Sequence, residues 1–224
     1  MQQIVENELL RIPLYHGTSS LFEESIQEYG LGAVNPLTKY SVPSFVKLAF
    51  DVCNSCLSGD QDWETCKFAP SWVVTQESFN DTSNFQHGDT YLTPSRASAV
   101  GYALTNRYGS EMLSTGHKLY NLATERCVDL VRETGLSEHP VVSLFRVIPS
   151  PILIVARAIP VSYLLSEGGG TPQQALRELE DFYPFLDSTG VAININFRLQ
   201  VPLSSTSFSI EHIDREKERN MFDW

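Results

Sequence analysis

Basic residues are scarce in this chain: 16 lysines and arginines stand against 27 aspartates and glutamates, a formal charge of −11 over 224 residues. That balance favours solubility and excludes broad, sequence-independent nucleic-acid binding, which needs a basic face to displace phosphate counterions. A nucleic-acid substrate held by a small local patch stays compatible with it. Cysteine is scarcer still. Four thiols in a chain of this length are too few for a disulfide scaffold and point to a reducing, cytosolic setting. Cys53 and Cys56 form a CxxC, followed by Cys66 and Cys127, but no second tight pair completes a zinc-ligand pattern, so these thiols read as buried or incidental. Long apolar runs are missing too. The opening "MQQIVENELLRIPLYHG" is interrupted by Glu6, Asn7, Glu8 and Arg11, so neither a signal peptide nor a membrane span is expected. There is no internal repeat and no GxxxxGK pattern, and Gly168, Gly169 and Gly170 read as a turn rather than a phosphate cradle.

What is present suffices for a buried core, with 42% hydrophobic and 11% aromatic residues. The run "RIPLYHGT" begins as a short strand. Ser20 and Glu23 resemble a capping box for a helix that Gly30 ends and that buries Ile26 with Leu21 or Phe22. Residues 35–85 read as loop-rich, with a short strand or helix inside them. Tyr91–Leu92 ends a strand, and Thr93 with Pro94 opens a helix to about Arg107. A longer amphipathic helix carries Leu119, Leu122, Ala123, Cys127, Leu130 and Val131 and stops at Gly135. "VVSLFRVI", "PILIVARAI" and "GVAININFRLQVP" read as strands, with a helix opening at Thr171–Pro172 between the last two. One α+β domain over residues 1–224 is the expectation.

The chemistry-bearing residues begin with His16-Gly17-Thr18, at the end of an apolar run and before a helix. Beside them stand Tyr91, at a strand end, and Tyr102, eleven positions on along the next helix. Two rings brought face to face form a slot for a flat, electron-poor ring. A glycine next to that slot lets a ligand amide approach the backbone, and an imidazole can bind a sugar hydroxyl.

The runs "YHGTSSLFEESIQEYGL" and "GDTYLTPSRASAVGYA" resemble the diphtheria-toxin and poly(ADP-ribose) polymerase branch of the ADP-ribosyltransferases. The resemblance covers residues 14–31 and 88–104 and implies a split antiparallel sheet with flanking helices. It implies NAD as substrate, with His16 on the 2′-hydroxyl of the nicotinamide ribose and Gly17 holding the carboxamide through its backbone. Tyr91 and Tyr102 would sandwich the ring, and Thr18 stands where relatives often carry a hydroxyl. Ala99 falls where many relatives place a serine. Polymer-forming members carry a glutamate on a late strand, but the same-face polar residues here are Asn194, Asn196, Arg198 and Gln200. Asn196 or Gln200 is expected in that catalytic position, with Glu211 ranked below them. An amide can hydrogen-bond a ribose hydroxyl but cannot act as a base, which points to transfer of a single ADP-ribose.

Arg96 is the favoured partner for the diphosphate, ahead of Lys39 and Arg107. His87-Gly88 reads as a loop entering the Tyr91 strand, and His117, His139 and His212 carry no further assignment. The acceptor would be a macromolecule, protein or nucleic acid, and no membrane is implied. A free-standing cytoplasmic toxin or defence effector fits by analogy, and a neutralising protein partner would suit that role. Two rivals stand beside this reading: a catalytically silent NAD or ADP-ribose binding module, and a relative that moves a phosphate from RNA to NAD.

Overall fold

The run Pro151–Ala156 is buried at all of its positions, so this strand must be covered on both faces. In the computed structural model of the chain, which describes residues 4–75, 88–186 and 195–217, that run is the centre of a three-stranded antiparallel sheet. The described residues fall into two compact units. One lies within Met1–Asn35, Asp89–Gly109 and Pro149–Trp224, the other within Pro36–Gly88 and Ser110–Ile148.

The first unit opens with a short hairpin, β1 (Val5–Glu6) and β2 (Leu9–Leu10), before β3 (Leu14–Ser19) and helix α1 (Glu23–Tyr29). It continues with β4 (Tyr91–Leu92) and α6 (Arg96–Thr105), then β5 (Pro151–Ala156), β6 (Leu164–Ser166), α10 (Gln173–Leu186), β7 (Phe197–Leu199) and β8 (Phe208–His212). Two three-stranded antiparallel sheets result, β3-β5-β8 and β4-β7-β6. An isolated bridge between Tyr15 and Thr93 links them. The chain is therefore α+β with small antiparallel sheets.

Helix α6 covers one face of the first sheet. Ala99, Val100 and Ala103 pack with Leu153, Val155 and Ile213, and Tyr15 lies against that cluster. The helix backbone approaches β3 so closely that a Cβ on Gly17 would lie 1.8 Å from the Ala99 carbonyl oxygen. Alanines at i and i+4 on α6, facing a glycine on β3, are what permit this contact. The opposite face carries Leu14, His16 and Thr18, in register with Ala156, Ile154 and Ile152.

The second unit is helical: α2 (Pro36–Lys39), α3 (Val42–Cys56), α4 (Gln61–Cys66), α5 (Phe68–Thr75), α7 (Glu111–Arg126), α8 (Val128–Thr134) and α9 (Val142–Phe145). Residues 36–75, expected to be loop-rich, are thus mostly helix. Val42, Phe45, Val46, Ala49, Val52 and Cys53 are buried at helical spacing along α3. The expected long helix is two, broken at Cys127, where φ −126 and ψ 38 leave the helical region; Gly135 stops the second one in a left-handed conformation. "VVSLFRVI" is not a strand. Its Val142–Phe145 forms one helical turn, in which the Ser143 hydroxyl donates to the Pro140 carbonyl at 2.6 Å and Phe145 packs on Phe45 at 5.7 Å. Tertiary packing here overrides β-propensity.

Two caps also differ from expectation. Ser19 rather than Ser20 caps the turn before α1, because the Ser20 hydroxyl accepts from the Ser150 amide at 3.0 Å. Ser95 rather than Thr93 caps α6, since Thr93 is held extended by its bridge to Tyr15. Among the described residues no helix is long and apolar enough to cross a membrane.

Gly17→Ala should lower stability by about 3 kcal/mol or more, the upper end of the overpacking range, because the obstacle is backbone rather than a movable side chain. The denaturant midpoint measures it; an unchanged midpoint would place α6 away from β3.

Candidate functional site

The bridge between the sheets organises the candidate site. Tyr15 N–H donates to the Thr93 carbonyl at 2.7 Å, and Thr93 N–H donates to the Tyr15 carbonyl at 2.9 Å. Both main-chain groups of Tyr15 therefore point away from β5. Strand alternation turns those of Gly17 to the same edge, two residues on. Among the described residues no strand pairs with β3 at Gly17 on that side. The N–H and C=O of Gly17 thus form a donor–acceptor pair on an edge without a partner strand, complementary to a primary amide.

His16 crosses the junction. Its Nδ1 lies 2.8 Å from the Tyr91 carbonyl oxygen. A carbonyl can only accept, so Nδ1 carries the proton and the neutral ring presents the lone pair on Nε2. Burial holds the His16 pKa below the ordinary value of 6.5, and the hydrogen bond to Tyr91 only partly opposes that shift. A neutral imidazole with Nε2 as acceptor suits a hydroxyl donor such as a sugar.

The second sheet has two unlike faces. Leu92, Phe197, Leu199 and Leu164 are buried on one. The other carries Tyr91 opposite Arg198 and Arg198 opposite Leu165. Continuing the register sets Thr93, Asn196 and Glu167 in the next row. On this face Asn196 Nδ2 donates to Glu167 Oε2 at 3.2 Å, and Arg198 pairs with Asp89 at 3.0 Å. The backbone at Gly169, with φ +83, lies against the Arg198 guanidinium, where a Cβ would come within 3.0 Å of it. The glycine turn after β6 is therefore shaped around Arg198.

The sequence-expected residues divide accordingly. His16, Gly17 and Tyr91 come together at the sheet junction, with Asn196 in the row beyond Tyr91. Tyr102 lies on α6, 38% exposed, one position before Ala103, which faces β3. Thr18 is buried with its hydroxyl beside Gly109. Ala99 is buried against Gly17 and brings no hydroxyl to the site. Gln200 sits past the other end of β7, exposed, with its amide donating to the Ser162 carbonyl. Arg96 pairs with Glu211 at 3.6 Å. That glutamate is on β8, two strands from β3 and about 10 Å away at ordinary strand spacing. Arg107 lies over the Tyr108 ring at 5.9 Å, and Lys39 belongs to the helical unit, over Tyr40. Asn194 and His87 fall outside the described residues.

Sequence reasoning missed Glu167. Its signal was a carboxylate between a strand end and three glycines, which marks the tip of a tight turn.

Elsewhere the thiols of Cys53 and Cys56 donate to the carbonyls of Leu119 and Arg126, and burial pushes Cys127 up to about 12. Among the described residues no group of three or more metal-ligating side chains is assembled. Comparison with protein-family models, with curated proteins and with solved structures found no match.

His139, packed at 5.0 Å from Phe45, has its pKa lowered by burial as His16 does. Both rings are held neutral by folding, so the unfolded chain binds more protons in the window below 6.5. Stability should be full above that pH and fall as pH drops toward the depressed folded values. His16→Asn should reduce the slope and leave the share of His139. Equal slopes in thermal unfolding from pH 7.5 to pH 5 would contradict the burial of His16.

Proposed function

We propose that the chain is a mono-ADP-ribosyltransferase that cleaves NAD, releases nicotinamide and transfers ADP-ribose to a macromolecular acceptor. The observation that carries the reading is the His16 Nδ1–Tyr91 O contact of 2.8 Å, which joins two motifs lying 75 positions apart. The strand edge of Gly17 supports it further, because a carboxamide needs one acceptor and one donor in line. The pair of small antiparallel sheets joined at Tyr15–Thr93 is compatible with a split-sheet transferase fold.

In this reading Gly17 grips the nicotinamide carboxamide, and the rings of Tyr91 and Tyr102 hold the pyridinium plane. His16 Nε2 accepts from the 2′-hydroxyl of the attached ribose. Nicotinamide leaves with the electron pair of the glycosidic bond, and the developing ribosyl cation is stabilised by oriented dipoles rather than by a base. The acceptor nucleophile then attacks the anomeric carbon and gives up its proton to solvent. Asn196, rather than Gln200, occupies the position beside the ribose, because Gln200 is engaged with the Ser162 carbonyl at the far end of β7. A cytoplasmic toxin or defence effector, countered by a neutralising partner, remains the setting we propose.

Two observations favour a second reading, a silent NAD or ADP-ribose binding module: Ala99 brings no hydroxyl and Asn196 no carboxylate.

Purified protein incubated with NAD should release nicotinamide and label either the protein or the nucleic-acid fraction of a cell lysate. His16→Ala should lower nicotinamide release by about a hundredfold, the scale of one lost transition-state hydrogen bond in a dry site. Tyr102→Ala should weaken NAD binding by about tenfold, the scale of one aromatic contact. NAD bound without nicotinamide release would select the silent module, and no binding would sink both readings.

A further inference from the structure

Resting on the transferase reading, we propose that Glu167 is a positioning residue that turns the Asn196 amide into a fixed hydroxyl acceptor. The Asn196 amide and the Glu167 carboxylate lie in contact at 3.2 Å. A carboxylate oxygen can only accept, so the group facing it must be the amide nitrogen of Asn196. That settles which way the amide is turned. In the order β4-β7-β6, Asn196 has Glu167 on one side and Thr93 on the other. With Nδ2 on Glu167, Oδ1 is turned away from the β6 side, and the other flank of β7 is β4. Among the described residues nothing donates to that oxygen.

An unpositioned asparagine presents either a donor or an acceptor to a ligand. With one N–H committed to Glu167, the amide holds its oxygen turned away from that carboxylate, as an acceptor for a hydroxyl proton. Two groups then accept at the same sugar, His16 Nε2 and Asn196 Oδ1. The pair therefore selects a diol, such as a ribose bearing both free hydroxyls, over a ring that lacks one of them. The charged groups placed beside Asn196 are Glu167, which follows β6, and Arg198 on β7 with its partner Asp89. Arg198 is neutralised by Asp89, which leaves Glu167 as the group bonded to the amide. The Gly168–Gly170 turn holds it there, closed by the Ser166 amide donating to the Gly170 carbonyl at 2.8 Å.

The test has one arm that does not use NAD. In Asn196→Asp, two carboxyls would face each other across the same contact and share a proton, so one of them should titrate well above an isolated carboxyl. Carbon-13 NMR of labelled carboxylates reads this directly, and the elevated titration should vanish in Asn196→Asp with Glu167→Gln. Absence of the elevated titration would overturn the proposal whatever the enzyme does. The second arm is kinetic. Glu167→Leu should lower kcat for nicotinamide release by about ten- to a hundredfold, the scale of one lost charged hydrogen bond, while KM for NAD stays within about threefold. Glu167→Gln, which keeps an acceptor for the amide, should recover most of the loss. Loss in both variants alike, or in neither, would overturn the positioning role. An elevated titration in a protein that neither binds nor cleaves NAD would overturn the transferase reading, and the role proposed for Glu167 with it, while the contact itself stood.

Discussion

The hydrogen bond from His16 to the Tyr91 carbonyl is the constraint on which the candidate site depends. It fixes the tautomer of the imidazole and orients the ring. With the Tyr15–Thr93 bridge, it also sets the edge of one small sheet against the edge of another. A two-residue strand such as β4 has little pairing energy of its own. It is held by Arg198 and Phe197 of β7 on one side and by Tyr15 on the other. Release the junction and Gly17 would lose its defined edge, because the alternation that exposes its amide is set by the pairing of Tyr15.

Gly17 also answers to packing, independently of any ligand. Its Cα lies against the backbone of α6, and Ala99 and Ala103 are small for the same reason. The absence of a side chain at this position thus lets a helix sit on the strand, at an edge where no described strand pairs with Gly17. The helix that needs the glycine is also the helix that carries Tyr102, so packing and the proposed ring slot share one cause.

Much of this was legible in the sequence where the chain signals locally. The strand in "PILIVA", the glycine stops at Gly30 and Gly135 and the helix after Pro172 all follow from short-range rules. That His16-Gly17 and Tyr91 share one site was expected from the resemblance alone, since nothing local encodes a contact across 75 positions. Residues 36–75 were misread because polar clusters masked the helical spacing of Phe45, Val46, Ala49 and Val52. "VVSLFRVI" was misread because β-branched residues favour strands only when a neighbouring strand is available. Glu167 was invisible for another reason: its importance comes from the register of β6 on β7, and a one-residue slip would have turned it to the other face.

The central claim is that the strand edge of Gly17 at the His16–Tyr91 junction receives a nicotinamide carboxamide. Its most direct measurement is a nitrogen-15 correlation spectrum of the whole protein titrated with free nicotinamide. The account predicts a saturable shift of the Gly17 amide, accompanied by His16 and Tyr91 and absent from the helical unit. A Gly17 amide that does not move at saturating nicotinamide, or shifts confined to the helical unit, would contradict it.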